Sequence, residues 1–326
     1  MRRMGTAVSG AVIAGILLTG CGQSGAAPSP SSSAVASASV AAADADLSGA
    51  LTLDPEGWYG DVYADGILPV GDGRYSEVKP AVGTVYLCSE NFAQNGAGAQ
   101  ERGPWFINDD TEWDLSLKIH VQGAVEWEPQ MTVTLDGDTR TVTTNDLPDH
   151  TTGEFPVARD DPAYDYDRNP NSISAQELTY DLNASPQYGE PHCMGGEAGV
   201  MLTGAALFNA FDELGRDAGA WEIQDACEGH PQQAGEYHYH TLSSCIGAVS
   251  VETVIGFALD GFPITGPTVS EGNVLTTADL DECHGIVSDV ELDGETVTTY
   301  HYVMTQDFPY SVSCFRAEPI TMHPAH

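Results

Sequence analysis

The chain has 326 residues, of which 41 % are hydrophobic, so it is long enough to build one large domain or two modest ones around a packed core. Its 48 acidic residues far outnumber its 11 Lys and Arg residues, and the formal net charge is −37. This balance excludes a nucleic-acid-binding protein, because phosphate neutralisation needs clustered basic residues. It also excludes a basic patch that adheres to an anionic membrane.

The first twenty residues have the pattern of a bacterial export signal. Arg2 and Arg3 precede an apolar run at residues 11–18, which is shorter than the roughly 20 residues that span a bilayer. The run ends in the sequence LTGC at residues 18–21, which resembles the lipobox of bacterial lipoproteins. We therefore expect an exported protein anchored through an acylated Cys21 to the outer face of the cytoplasmic membrane. An ordinary secretory signal followed by a chance Cys is the alternative.

Composition divides the remaining chain into successive regions. Residues 21–48 are rich in Ser, Ala and Pro and are predicted to form a flexible tether. Residues 49–160 are predicted to form an accessory β region, and residues 161–317 a second β-rich domain. Residues 318–326 are expected to be a tail.

Strand patterns dominate the folded part, and 35 Gly and 19 Pro predict many loops. Residues 113–121 alternate apolar and polar side chains with period two, as a half-buried strand does. Hairpins are predicted to turn at Asp136-Gly137 and at Asp293-Gly294. Weak helical patterns occur at residues 205–214 and 277–283. The sequence therefore predicts a mainly β, disulfide-bridged, antiparallel fold with few short helices.

Two segments of the C-terminal half are alike, which indicates an internal duplication. The pattern Gly-x-x-Leu-x-Gly-x-x-aliphatic begins at Gly199 and again at Gly256. Each copy is followed in the same order by a Cys with a nearby Gly and His, a Tyr-His-Tyr strand and a final Cys. We expect two similar β units, at about residues 199–245 and 256–314, packed about a pseudo-twofold axis.

The cysteine count indicates disulfides. If Cys21 carries lipid, six Cys residues remain, an even number that is typical of bridges in an exported chain. Many pairings are open, and the duplication favours one bridge within each unit. The preferred pairing is Cys227–Cys245, Cys283–Cys314 and Cys88–Cys193. No Cys-x-x-Cys motif occurs, so a redox-active or zinc-ribbon site has little support.

The sequence YHYH at residues 237–240 is the main candidate for chemistry. Alternate side chains of a strand point to opposite faces, so His238 and His240 share one face with Cα atoms about 7 Å apart. The second unit offers His301 on the matching strand. If the two strands pair or face each other, three imidazoles converge, which suits Zn²⁺ or a copper ion.

The turns before these strands carry His230 and His284, which are further candidate ligands. Three carboxylates, Asp225, Glu236 and Asp281, are candidates to orient imidazole N–H groups. The same histidines have two other interpretations, namely a hydrogen-bonded core strand with half-buried rings and acid–base catalysis. Because the second unit has Val303 where the first has His240, a His pair is not duplicated.

The segment EGHPQQAGEYHYH at residues 228–240 resembles the hallmark of the YHYH domain family, which is named for that tetrapeptide. The similarity extends over about residues 165–317, including the motifs at 168–173, 256–267, 280–283 and 308–316. Members are typically exported bacterial proteins, often lipoproteins, and have no established reaction. The resemblance therefore implies location and a common fold rather than a chemistry. It also implies a second Tyr-His-Tyr-His-like strand, which here ends in Val303.

We therefore expect an extracytoplasmic, lipid-anchored module that binds copper, zinc or another ligand at its surface, with a small molecule or a cell-surface component as its unidentified partner. One alternative is a scaffold protein without metal, and another is a secreted hydrolase or oxidoreductase that uses the same histidines. No Gly-x-Ser-x-Gly, Ser-x-x-Lys or His-Glu-x-x-His motif occurs, so the sequence favours a non-enzymatic protein. A concave pocket that holds at least two of these histidines beside a carboxylate would instead favour an enzyme.

Overall fold

The computed structural model describes residues 46–90, 92–93, 99, 101–247 and 249–321. All of these lie in one compact unit that spans residues 42–326. The predicted signal peptide, Cys21, most of the predicted tether and residues 322–326 of the predicted tail lie outside the described residues. Within the described ranges, no helix is both long enough and apolar enough to cross a bilayer.

Strands and loops make up most of the described chain, which confirms the mainly β prediction. The helical segments of the described residues are α1 (Ala218–Trp221) and 3₁₀ turns at Leu115–Leu117, Pro162–Asp165 and Thr277–Asp279. In chain order the strands are β1 (Ile67–Pro69), β2 (Tyr75–Ser76), β3 (Val85–Tyr86), β4 (Phe106–Ile107), β5 (Glu112–Asp114), β6 (Met131–Asp136), β7 (Thr139–Thr144), β8 (Leu178–Asn183), β9 (Glu197–Met201), β10 (Ala206–Phe208), β11 (Gly229–Pro231), β12 (Tyr237–Tyr239), β13 (Val254–Ala258), β14 (Pro263–Thr265), β15 (Thr268–Ser270), β16 (Asn273–Val274), β17 (Gly285–Leu292) and β18 (Glu295–Val303).

An eight-stranded sheet, in the order β11-β12-β10-β9-β13-β14-β18-β17, forms the centre of the fold. Neighbouring strands are antiparallel except for β10 with β12 and β14 with β18, which are parallel. Each half of the sheet has the same arrangement when it is followed outwards from the middle. A pseudo-twofold axis therefore passes between β9 and β13, which confirms the internal duplication. Smaller sheets, β1-β5-β4, β6-β7-β8, β2-β3 and β15-β16, surround this one.

The two units meet through β9 and β13, where Val200 pairs with Phe257 at the axis. Equivalent glycines stand at this contact. A Cβ on Gly199 would lie 2.3 Å from the carbonyl oxygen of Phe257, and a Cβ on Gly256 would lie 2.8 Å from that of Val200. Both distances are shorter than side chains tolerate, so the approach of the two units requires glycine at these two positions.

Each unit repeats a buried turn before its Tyr-His-Tyr strand. Asp225 and Asp281 occupy equivalent positions in the two units. The Oδ1 atom of each carboxylate accepts two backbone N–H groups of the turn and the hydroxyl of the first Tyr of the strand, Tyr237 or Tyr300. These hydrogen bonds position β12 and β18 relative to the turns that precede them.

Three disulfides connect the described cysteines. Cys227–Cys245 lies within the first unit, Cys283–Cys314 lies within the second, and Cys88–Cys193 ties the N-terminal region to the segment before β9. These are the pairs that the duplicated cysteine pattern favours.

Two local predictions are wrong, while both predicted hairpins are present as β6–β7 and β17–β18. Residues 205–214 do not form a helix, because Gly204, with a φ of 101°, turns the chain into β10, which is held between β9 and β12. Residues 113–121 are not one strand. The strand β5 ends at Asp114, whose carboxylate accepts the backbone N–H of Ser116 and caps a 3₁₀ turn.

Carboxyl groups are buried in this core, and their burial has an electrostatic consequence. The hydroxyl of Tyr180 donates to Glu197 in β9 at 2.7 Å, and burial raises the pKa of Glu197 to about 7. Burial likewise raises the pKa of Asp217 and that of Asp260 to about 6. The folded state therefore holds protons at pH values where the unfolded chain releases them.

We expect the contribution of Glu197 to the free energy of unfolding to decrease as the pH rises from about 4.5 to 7. An acid whose pKa is raised by folding stabilises the fold fully below its unfolded pKa, and this contribution is lost as the pH passes the folded value. Glu197→Gln keeps a hydrogen-bond acceptor for Tyr180 but cannot ionise, so between these pH values its free energy of unfolding should rise by about 1–3 kcal/mol relative to that of the wild type. Urea unfolding at several pH values tests this, with the exposed Glu271→Gln as control. Identical pH profiles for both variants would contradict the prediction.

Candidate metal centre

Three histidines of the first unit form one cluster because of how β11 and β12 pair. The antiparallel register places His230 directly opposite His238. His240 follows β12 by one residue and lies two residues from His238, on the same face. The ring centroids are 4.5 Å apart for His230 and His238, 4.9 Å for His238 and His240, and 5.4 Å for His230 and His240. All three rings are almost completely buried.

A buried carboxylate joins the imidazoles. Glu222 directly follows the short helix α1, and its Oε2 lies 3.2 Å from the Nε2 of His230 and 3.2 Å from the Nε2 of His240. The Nε2 atoms of His238 and His240 are 3.1 Å apart. Three ring nitrogens and one carboxylate oxygen thus form a single contiguous group of potential metal-ligand atoms.

The outer nitrogens of the rings contact other protein groups, which turns the Nε2 atoms towards one another. The Nδ1 of His240 contacts the carbonyl oxygen of Asn209, and the Nδ1 of His238 lies 3.4 Å from the carbonyl oxygen of Glu236. Because a carbonyl oxygen only accepts, both Nδ1 atoms carry the proton. The Nε2 atom of His238 therefore presents a lone pair towards the Nε2 of His240 when the His238 ring is neutral, and a cation can bind there.

The contact between His230 and Glu222 likewise favours a bound cation. Their Nε2 and Oε2 atoms are 3.2 Å apart, within ion-pair distance, yet they are not aligned for a hydrogen bond, and both atoms are buried without a hydrogen-bond partner. Buried polar atoms without a partner are rare and costly. An ion bound by both atoms would satisfy them.

The charges of the cluster are coupled. Burial alone would raise the pKa of Glu222, but His230 and His240 outweigh it and hold that pKa well below its usual value. Burial would lower the pKa of His230, whereas the Glu222 carboxylate raises it above the ordinary value. Burial and the neighbouring His230 and His240 hold the pKa of His238 well below its usual value. Glu222 is therefore an anion, and His238 is a neutral imidazole able to bind a metal.

The spacing of these atoms fits a metal of ordinary size. A zinc ion binds imidazole nitrogen at about 2.0–2.1 Å in a tetrahedron, which places neighbouring ligand atoms about 3.3 Å apart. The three contacts described above among the Nε2 and Oε2 atoms are 3.1–3.2 Å, and the ligand atoms of the three histidines all lie within 4.8 Å of one another. A nitrogen-rich set with one carboxylate suits zinc, copper and other first-row transition ions.

The structure does not bring His284 or His301 to this cluster, and the prediction that imidazoles of the two units converge is wrong. Four strands, β10, β9, β13 and β14, lie between β12 and β18 in the sheet. The ring of His301 contacts the hydroxyls of Thr265 at 2.9 Å and Ser288 at 2.8 Å, and His284 contacts that of Thr305 at 3.0 Å. Burial lowers the pKa of both histidines to about 3.

The second unit lacks the ligands that the first unit has. In the β17–β18 register, Ile286 stands opposite His301, as His230 stands opposite His238 in the first unit. Val303 then occupies the place of His240. One histidine remains of three, so His301 is a hydrogen-bonded core residue rather than part of a second centre.

The carboxylates predicted to orient the imidazoles have other roles. Asp225 and Asp281 organise the turns described above, and Arg316 also donates to Asp281. Glu236 contacts His238 through its backbone carbonyl, while its carboxylate accepts from Gln232. The acidic partner of the imidazoles is Glu222, which the sequence analysis missed. The sequence signal for Glu222 was its place in the otherwise apolar stretch at residues 218–223. Such a stretch is typically buried, and a buried acidic residue seldom lacks a partner.

The histidine cluster opens into a cleft of about 780 Å³. A concave pocket therefore holds three histidines beside a carboxylate, the arrangement that the sequence analysis associates with an enzyme. Among the described residues, the other group with metal-ligand spacing is His150 with Cys227 and Cys245. The sulfurs of these two cysteines form a disulfide and are not available as thiolates.

Comparison with known proteins supports the family resemblance. A family model described as YHYH protein matches residues 179–273, a segment that contains Glu222, His230, His238 and His240. The match covers the first unit and the beginning of the second. Searches of curated proteins and of solved structures give no significant match.

The bridge Cys227–Cys245 joins two cysteines that are 18 residues apart in the sequence, and all three histidines of the cluster lie between them. It should therefore preorganise the site. We expect the double variant Cys227→Ser/Cys245→Ser to bind Zn²⁺ or Cu²⁺ roughly 10-fold or more weakly, because ordering the ligands then costs binding free energy. Isothermal titration well below the melting temperature measures this.

The pseudo-equivalent variant Cys283→Ser/Cys314→Ser is the matched control. It removes a bridge in the second unit and should lower the melting temperature without changing the metal affinity. An equal loss of affinity in both double variants would show that the first bridge has no specific effect on the site.

Proposed function

We propose that this protein is an exported, lipid-anchored surface protein that binds a divalent transition metal, Zn²⁺ or Cu²⁺, through His230, His238 and His240 with Glu222. The observation that carries the proposal is the convergence of three Nε2 atoms and one carboxylate oxygen, two of which are buried without a hydrogen-bond partner. The net charge of −37 supports it further, because an acidic surface concentrates cations.

A metal-dependent enzyme is the second candidate, and the cleft favours it. Structural zinc sites are closed by four protein ligands, whereas catalytic sites face a space that substrate can enter. Here the cluster borders an open cleft of about 780 Å³. A bound metal would supply Lewis acidity at this position. Glu222 and the three imidazoles would hold it, and the surrounding core would exclude bulk water from all but the cleft side.

Metal titration of protein purified without a histidine tag tests the metal proposal. We expect one Zn²⁺ or Cu²⁺ ion per chain and an increase in melting temperature with metal concentration, because binding to the folded state alone stabilises it. His238→Ala/His240→Ala should weaken binding by roughly 100-fold or more, since two of four ligands are lost. Glu222→Gln should weaken binding by roughly 10-fold or more, because the anion that balances the metal is removed.

His301→Gln is the matched control, because His301 is the pseudo-equivalent of His238. It should lower stability but leave the metal affinity unchanged. If the histidines of the first unit only pack in the core, the double alanine variant will unfold at lower temperature to the same extent with and without metal. That result, or the absence of bound metal in the wild type, would refute the proposal.

The membrane anchor rests on the LTGC sequence at residues 18–21 and is tested separately. In a bacterial host with lipoprotein processing, the wild-type protein should label with palmitate and sediment with membranes. Cys21→Ser should abolish the label, because the acylated sulfur is lost. A variant that still incorporates palmitate would contradict the assignment of Cys21.

A further inference from the structure

The cleft above the histidine cluster is lined by both apolar and acidic side chains. One side is apolar and includes Leu87, Met194, Phe208 and Phe211. Phe208 also stacks on the His238 ring, with centroids 4.1 Å apart and planes at 23°. The apolar wall therefore extends up to the imidazoles themselves, where an aromatic or aliphatic group could pack beside the metal-ligand atoms.

The charged side chains that line the cleft are acidic. They are Asp167, Asp212, Glu213 and Glu222, and no Lys or Arg is among the described lining residues. The charge of Asp212 is balanced by Arg216 at 2.6 Å, and away from the histidine cluster no described Lys or Arg lines the cavity to pair with an anion. A phosphate or carboxylate group held in the cleft away from the histidine cluster would lose hydration without gaining a basic partner.

Three polar amides of the cleft, Asn169, Asn171 and Gln232, already have partners within the protein. Asn169 and Asn171 both donate to the carbonyl oxygen of Pro231, at 3.0 and 3.3 Å. Gln232 donates to Glu236 at 2.7 Å and accepts from the backbone of Ala234. These amides shape the wall rather than recognise a polar ligand. The metal and the apolar side are therefore the main sources of recognition, and the exposed Gln233 is a further amide of the lining.

Two glycines leave space in the same wall. A Cβ added to Gly195 or to Gly196 would meet no atom within 4 Å, and neither residue has a positive φ. Backbone geometry therefore does not require glycine here, and the absence of side chains keeps the cleft open beside the histidines. The space beside these two exposed glycines is open, and we call it the gap.

We propose that the metal centre takes an uncharged aromatic or aliphatic ligand with a single metal-binding donor atom, and that the cleft rejects anions. The inference rests on the proposed metal site and names the class of ligand for that site. The donor atom adds to the metal from the cleft side, and a zinc centre can expand from four ligands to five. The apolar part of the ligand packs against Phe211 and over the two glycines.

The test uses the full chain loaded with Co²⁺, whose visible absorption reports its ligands. Three probes are titrated: imidazole, 4-phenylimidazole, and 4-phenylimidazole with a carboxylate on the phenyl ring. We expect 4-phenylimidazole to bind roughly 10-fold or more tightly than imidazole, because the phenyl group is buried on the apolar wall. The carboxylated probe should bind roughly 10-fold or more weakly than 4-phenylimidazole at low salt, with a smaller difference at high salt.

Gly196→Leu fills the gap and should remove the preference for 4-phenylimidazole while leaving the affinities for Co²⁺ and imidazole unchanged. Gly189→Leu, at an exposed glycine outside the cleft, is the control. If Co²⁺ binds but the three probes bind equally, or the carboxylated probe binds best, the ligand proposal is overturned and the metal site stands. If Co²⁺, Zn²⁺ and Cu²⁺ all fail to bind, both proposals are overturned.

Discussion

The candidate site depends on the antiparallel register between β11 and β12. Pairing His230 with His238 places two imidazoles on one face, and the two-residue period of the strand adds His240. A shift of one residue would move these rings to the opposite face, where Tyr237 and Tyr239 now pack in the core. The register is held at one end by Asp225 and the bridge Cys227–Cys245.

The duplication separates what the fold requires from what the site requires. Both units keep the paired glycines at the axis, the aspartate turn and an internal disulfide. The first unit alone combines three imidazoles with a buried glutamate, whereas the second has Ile286 and Val303 at two of the equivalent positions. The shared features therefore stabilise the sheet, and the differences mark the candidate metal site of the first unit.

Local patterns in the sequence predicted much of this arrangement. The Tyr-His-Tyr-His spacing places His238 and His240 on one face whatever the tertiary structure, and the repeated motifs indicate two similar units. The Asp-Gly pairs likewise specify hairpins through the backbone geometry of the turn. Each of these inferences depends only on residues close together in the chain or on the repetition of a pattern.

The errors concern contacts that tertiary packing decides. Glu222 reaches the imidazoles from the end of a four-residue helix, and nothing in the spacing between residues 222 and 230 specifies that approach. The expected meeting of His238 and His301 failed because the units join through β9 and β13, which places β12 and β18 in opposite halves of the sheet. The helix predicted at residues 205–214 failed because pairing with β9 and β12 outweighs local propensity.

The most direct test of the account is to locate the metal. Crystals of the untagged protein grown with Zn²⁺ should give, at the zinc absorption edge, one strong anomalous peak bounded by the Nε2 atoms of His230, His238 and His240 and by Oε2 of Glu222. A cluster without an anomalous peak, or a dominant peak at other side chains such as His150 or exposed carboxylates, would contradict the central claim.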